Sequence, residues 1–220
     1  MITFGSKADT LRALEPVLTT ARVLPQLCLR TGGLEPEGLL SLVREAGWQN
    51  RPLIVRSSAR NEDTAESSNA GKFLSIAHVQ GEAAILQAVE QVAAAMGDDP
   101  ENQVFLQPCL ERVQVCGVAF TADPNTGGNY YILNYDKTTG STSSVTDGTG
   151  ARLETFYHFK RSPVPPPAPL DRVIALCREL EELFQRPALD LEFAIAEDVL
   201  YLLQVRPLVL RRPLAGLEEQ

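Results

Sequence analysis

The sequence predicts an α+β fold. Apolar residues recur at helical spacing in only a few segments, and short apolar runs bounded by Gly, Pro and Asn read as strands. Helices and mainly antiparallel strands mix without a βαβ rhythm, and neither a repeat nor a heptad occurs.

In chain order, Asp9 is the expected cap of a short helix carrying Leu11 and Leu14. Pro36 opens a second helix with Leu39, Leu40, Leu42 and Val43 as its apolar positions and Gly47 past its end. "PLIVR" (52–56) reads as a buried strand, and the polar stretch 57–72 as a loop. Ile85, Val89, Val92 and Met96 mark an amphipathic helix over 83–97. "QVFLQ" (103–107), "VQVCGVAFT" (113–121) and "NYYILNY" (129–135) are strands. Gly117 marks a bulge or a close backbone approach, and "DPNTGG" is a turn. Residues 136–150 are polar and Gly-rich, a loop or short hairpin, and 152–159 reads as a further strand. The proline-rich 162–170 is a stiff connector. A helix over 171–185 carries Val173, Ile174, Cys177, Leu180 and Phe184, and "LEFAI" and "VLYLLQV" flanking "AED" form a hairpin.

The 220 residues, 44% of them hydrophobic, suit one large domain or two subdomains with a real core. No apolar run reaches the roughly 18 residues of a membrane span. "MITFGSKADTLRALEP" lacks the apolar stretch of a secretory signal, so the expected location is cytoplasmic. A net charge of −8 argues against broad nucleic-acid binding, though a local cationic pocket remains compatible with it. Cys28, Cys109, Cys116 and Cys177 form no C-x-x-C, and only two histidines exist, so buried reduced thiols are expected rather than a transition-metal site.

Chemistry concentrates at two places. In the last hairpin, Asp190 and Glu192 point away from Leu191, Phe193 and Ile195. Val199, Tyr201, Leu203 and Val205 are expected on one face of the second strand, with Gln204 and Arg206 on the other. A turn centred near Glu197 sets 190 opposite 204 and 192 opposite 202, and Asp190, Glu192, Gln204 and Arg206 then share a face. Opposed Cβ atoms would lie about 5 Å apart and diagonal ones about 7–8 Å. Hard oxygen donors at such spacing suit Mg²⁺, and an adjacent arginine suits a phosphate. An ordinary hairpin with one solvated face has the same pattern. The second place is Arg56, which follows Leu53, Ile54 and Val55, so its head must find a partner at the end of a core strand. Two of the four lysines, Lys7 and Lys72, sit in "FGSKA" and "NAGKF". No Walker A loop and no G-x-G-x-x-G occurs.

Together these blocks resemble a known family. "FGSKADTL" with "RVLP" is similar to the "GGKGANL…VP" opening of the ATP-binding domain of the phosphoenolpyruvate synthase and pyruvate phosphate dikinase family. "VRSSARNED" resembles its "VRSSATAED", and "NAGKFLSIAHV" its "FAGQQDTYLNV". "VFLQPCLERVQVCGVAFTADPNTG" and "LDLEFAIAEDVLYLLQVRPL" resemble two further blocks in the family order. The resemblance implies an ATP-grasp-type fold with the nucleotide in the cleft between two subdomains, expected at 1–100 and 101–220. It implies that Lys7 and Arg56 contact phosphates and that the Ala70–Ser75 loop, with Gly71, Lys72 and Ser75, closes over them. It further implies that Gln107, Cys109 and Leu110 form an adenine hinge, that Glu192 and Gln204 hold Mg²⁺, and that Arg206, beside Asp190, meets the γ-phosphate.

The chain also departs from the family. Lys72 and Phe73 replace a Gln pair in the lid, and residues 1–51 are shorter than the family's N-terminal subdomain. The family's "GLGE" block gives way to "NYDKTTGSTSSVTDG", a variant similar to the branch linked with surface-polysaccharide gene products, among them a kinase of the glutamine side-chain amide. Neither His78 nor His158 sits in the Thr/Ser-His motif of the family's phosphohistidine domain. The resemblance therefore implies an ATP-dependent phosphotransferase whose phosphoryl acceptor lies on a companion domain or chain or is a small molecule. A non-catalytic nucleotide-binding module and an ATP-grasp carboxylate–amine ligase are the alternatives.

Overall fold

Two sheets divide the strands. The computed structural model describes residues 1–33, 35–59, 74–137 and 153–210. The elements are α1 (Lys7–Leu14), β1 (Arg22–Val23), β2 (Leu27–Arg30), α2 (Pro36–Glu45), β3 (Leu53–Ser58), β4 (Ser75–Val79) and α3 (Glu82–Ala95). They continue with β5 (Gln103–Pro108), β6 (Val113–Phe120), β7 (Tyr130–Asp136), β8 (Glu154–Phe159), α4 (Leu170–Phe184), β9 (Leu189–Ala196) and β10 (Val199–Pro207). A six-stranded sheet runs β1-β10-β9-β6-β7-β8 and a four-stranded sheet β2-β5-β3-β4. All pairings are antiparallel except β1 with β10. β5, just past residue 100, pairs with β2 and β3, while β1 crosses to the six-stranded sheet.

Each sheet is closed by helices whose apolar stripes match it. Leu170, Val173, Ile174, Leu176, Cys177, Leu180 and Phe184 of α4 are buried in one core with Val115, Leu133, Leu191, Phe193 and Ile195. Leu39 and Val43 of α2, with Ile85, Val89 and Val92 of α3, cover Leu53, Val55, Val104 and Leu106 in a second core. Strand alternation sends Phe105 the other way, into the first core. The central strands β3 and β5 are thus buried on both faces, and Arg56, Ser57 and Ser58 are buried along with Leu53 and Val55.

The structure corrects the sequence reading in three places and decides the one alternative it left open at Gly117. The α1 cap is Ser6, whose hydroxyl accepts from the Asp9 N–H and donates to Asp9 Oδ2 at 2.7 Å; Asp9 lies in the first turn. Gly117 marks a close approach and not a bulge: a Cβ there would lie 2.3 Å from the Asn134 carbonyl oxygen, while the β6 register shift falls between Val113 and Val115. The last hairpin closes on Ala196↔Val199 through Glu197 and Asp198, both at positive φ. A bulge at Leu203 then sets Gln204 opposite Glu192 and Arg206 opposite Asp190, in place of 190 opposite 204 and 192 opposite 202. The extra residue flips the alternation. The buried apolar positions of β10 are therefore Leu200, Leu202 and Val205, not the set 199, 201, 203 and 205. The short strands β1, β2 and β4 have no counterpart in the sequence reading. Of the lid expected from Asn61 to Ser75, residues 61–73 lie outside the described residues, as do Gly71 and Lys72 individually.

Candidate functional site

The site forms where the inner face of the four-stranded sheet meets the β9–β10 hairpin. Leu53 and Val55 turn toward α2 and α3, so Arg56 points the other way. Its neighbour on β5 is Phe105, whose ring lies 5.4 Å from the guanidinium carbon. The guanidinium reaches across to the other sheet. Nη1 donates to the Leu203 carbonyl at 3.0 Å, and Nη2 lies 3.5 Å from both Gln204 Oε1 and Glu192 Oε2. Arg56 is only 8% exposed, and its Nε has no hydrogen-bond partner. Such a buried cation with a spare donor fits an anionic ligand.

The bulge makes this geometry. Because Leu203 is extra, Gln204 pairs directly with Glu192 and Arg206 with Asp190, and all four side chains share one face. The expected grouping therefore stands, through a different register. Arg206 Nε and Nη2 both donate to Asp190 Oδ2, at 2.9 and 2.8 Å. Burial pushes the Asp190 carboxyl above the usual aspartate range, against the pull of Arg206.

Lys7 is buried at the start of α1. The Ala8 N–H donates to Ser58 Oγ at 2.9 Å, which fixes that helix end two residues beyond Arg56 along β3. Ser75 is exposed and paired with Arg56 across β3–β4. Gln107 shares the Phe105 face; its Nε2 donates to the Leu24 carbonyl at 3.3 Å, and its Oε1 is buried without a partner. Cys109 and Leu110 are half-buried in the link from β5 to β6, which joins the two sheets. The Cys109 N–H is taken by the Pro52 carbonyl, and burial raises its thiol pKa. None of the four cysteines is in a disulfide; Cys116 and Cys177 are buried and Cys28 and Cys109 half-buried.

Several contributors were passed over in the sequence. Phe105 stacks on Arg56, and Ser58 holds α1. Asn134 and Asp136 lie on the Glu192 face as well, because Val118 pairs with both Glu192 and Asn134. Asp136 is 2% exposed. Their signal was polarity at period two inside the apolar run of β7.

Among the described residues no cluster of three or more His, Cys, Asp or Glu could hold a metal. Glu192 and Gln204 still offer two hard oxygens around one point, already marked by a cation, the Arg56 guanidinium. That fits Mg²⁺, which takes one or two protein oxygens and completes its shell with water and phosphate. A groove of about 630 Å³ between α2 and α3, lined by Leu39, Leu86, Val89 and Ala93, opens on the helix side of the four-stranded sheet, away from Arg56.

Residues 38–100 match the family model of the pyruvate phosphate dikinase AMP/ATP-binding domain, which bears out the resemblance over that stretch. No curated protein matches the chain. Among solved structures it is similar to the D-alanine–D-alanine ligase of Helicobacter pylori, at 14% identity and TM-score 0.54, covering 93% of this chain and 54% of that one. It is also similar to the D-alanyl-alanine synthetase A of Vibrio cholerae, at 14% identity and TM-score 0.51, covering 91% and 54%. The D-alanine–D-alanine ligase of Coxiella burnetii gives 11% identity and TM-score 0.50, covering 92% and 47%. These likenesses show the fold, which is ATP-grasp, and the chain spans about half the length of those proteins.

Proposed function

We propose that this chain is the ATP-binding part of a phosphotransferase, with the nucleotide lying between the two sheets. The observation that carries this reading is the meeting of Arg56, from one sheet, with Glu192 and Gln204, from the other. Arg56 and Lys7 would bind the phosphates, and Phe105 holds the Arg56 guanidinium in place from behind. Gln107, near the end of β5, and Cys109 and Leu110, in the inter-sheet link, would receive the adenine. Glu192 and Gln204 would hold Mg²⁺, which supplies charge compensation on the phosphate oxygens when bound. Arg206, two residues beyond Gln204 on the same face, would meet the charge that develops as the terminal phosphoryl group departs. Ser75, with Gly71 and Lys72, would close the site. We place the subdomain boundary of the reading near residue 100, so that the nucleotide contacts both halves.

The phosphoryl acceptor is then on a companion domain or chain, or is a small molecule such as an amide. The ligase fold of the structural neighbours favours a second reading, in which a carboxylate takes the phosphoryl group before an amine attacks. Products separate the two. Incubation with radiolabelled ATP and Mg²⁺ should give AMP plus phosphate for a dikinase-like double cleavage, or ADP with no trappable acyl phosphate for a simple kinase. ADP with trapping of an acyl phosphate by hydroxylamine, in the presence of an added amino acid, would instead establish the ligase. Calorimetry that detects no ATP binding by the folded chain, with Mg²⁺ present, would remove both.

A further inference from the structure

We infer that this site admits a divalent cation only together with a nucleoside triphosphate, because the Arg56 guanidinium occupies the metal's two protein ligands until a polyphosphate draws it away. The inference rests on the nucleotide reading above. The guanidinium and a metal compete for the same atoms. Arg56 Nη2 stands 3.5 Å from Glu192 Oε2 and 3.5 Å from Gln204 Oε1, the only two oxygens assigned to the metal. A metal bound to both at about 2.0–2.1 Å would have to sit beside a cation that is nearly sealed from water.

Charge bookkeeping points the same way. Asp190 is held by Arg206 at 2.8 and 2.9 Å. That leaves Glu192 as the carboxylate facing Arg56. Among the described residues at the site, Arg56, Arg206 and Lys7 balance Asp190, Glu192 and Asp136. A bare divalent cation gains no net field there and pays for its lost hydration. A triphosphate changes both terms. It brings the metal's remaining oxygen ligands, and it offers Arg56 a stronger partner than one carboxylate.

The strengths of the contacts suit such an exchange. Both Nη2 contacts are at the long limit of a hydrogen bond, and Nε has no partner, whereas Arg206 grips Asp190 at ordinary hydrogen-bond length. Arg56 is thus the loosely held cation of the pair, with a donor to spare. Its anchor at the Leu203 carbonyl and its place over Phe105 keep it in the cleft whichever partner it takes.

Mn²⁺ with detection by electron paramagnetic resonance tests this, since free and bound ion give different signals. The full chain is titrated with Mn²⁺ alone and with Mn²⁺ plus a non-hydrolysable ATP analogue. The wild type should bind Mn²⁺ weakly alone and at least about tenfold more tightly with the analogue. Arg56→Met should gain at least about tenfold in affinity for Mn²⁺ alone, and Arg56→Met with Glu192→Gln should lose that gain. Arg56→Lys, which keeps the charge, should stay closer to wild type and guards against a folding defect in the methionine variant. Equal binding of Mn²⁺ alone by wild type and a folded Arg56→Met would overturn the inference while leaving the nucleotide reading intact. Failure of the analogue to bind the wild type in the presence of Mn²⁺ would overturn the nucleotide reading itself.

Discussion

Arg206 sends two donors to one oxygen of Asp190, and both side chains are largely out of water. Removing one partner of such a pair leaves a charge in a site that already disfavours it, at a cost of about 3–5 kcal/mol when fully buried. Arg206→Ala should therefore lower stability for a reason unrelated to catalysis. Adding Asp190→Asn should recover most of that loss in urea unfolding, and a double-mutant cycle would isolate the pair. Activity should behave differently. Arg206→Ala should keep ATP affinity within a few-fold, because Lys7 and Arg56 remain, and phosphoryl transfer should fall by about 10³–10⁵. Restored stability without restored transfer is the expected result for the double variant. Full turnover in Arg206→Ala would take the arginine out of the site. At this scale the sequence was informative. An arginine ending an apolar strand has to find a partner, and the alternation in "DLE" and "QVR" put four polar side chains on one face. It was silent on Phe105, since an aromatic in an apolar strand looks like any core residue.

The β9–β10 hairpin shows why elements are legible sooner than their register. Its two apolar runs and its acidic turn can be read from the sequence. The bulge cannot, because "LYLLQV" contains no glycine, and one extra leucine in an apolar run carries no mark. Gly117 is the reverse case. Its presence is visible, and the sequence leaves its cause open between a bulge and a close approach; a Cβ there would meet the Asn134 backbone at 2.3 Å, which decides for the approach. Gly117→Ala must part β6 from β7, and the expected loss is about 1–3 kcal/mol or more, read as a lower urea midpoint. A midpoint equal to wild type would mean that the strands separate freely. In β8, His158 is 6% exposed beside Tyr131 and Phe156. Burial and the Arg178 charge hold its pKa below the ordinary 6.5. The folded value lies below the unfolded one, so the unfolded chain takes the proton first as pH falls. Stability is fully present above pH 6.5 and declines through the window below it, until the folded histidine also titrates. His158→Phe should flatten that acid limb. The measurement is the urea midpoint across the window, and a parallel decline in both proteins would assign the limb elsewhere.

Which sheet a strand joins is decided by long-range pairing, and no local pattern in the sequence announces it. β1 is two residues long, and β4 is a half-exposed edge. Only the resemblance to a known family suggested a cleft. In the fold, α1 packs on β1 and β10, its Ala8 N–H donates to Ser58 and the Ser6 hydroxyl to Gln103, Phe105 joins the core of the six-stranded sheet, and Arg56 reaches Leu203, Gln204 and Glu192. The contacts that Arg56 makes across the cleft are polar and available to a ligand. A nucleotide held from both sides should stabilise the molecule as a unit. At a hundred times its Kd the linkage is worth about 2.7 kcal/mol, or about 5–10 °C in Tm for a chain of this size. Differential scanning calorimetry with Mg²⁺ and ATP should show one transition moving upward by about that amount. Mg²⁺ alone should move it little, since Arg56 holds its two protein ligands, Glu192 and Gln204. Arg56→Met should lose most of the ATP-dependent shift, having one phosphate contact and one bridge fewer. If the trace instead splits, with only one component moving, the nucleotide is held by one half alone and the cleft is not its site.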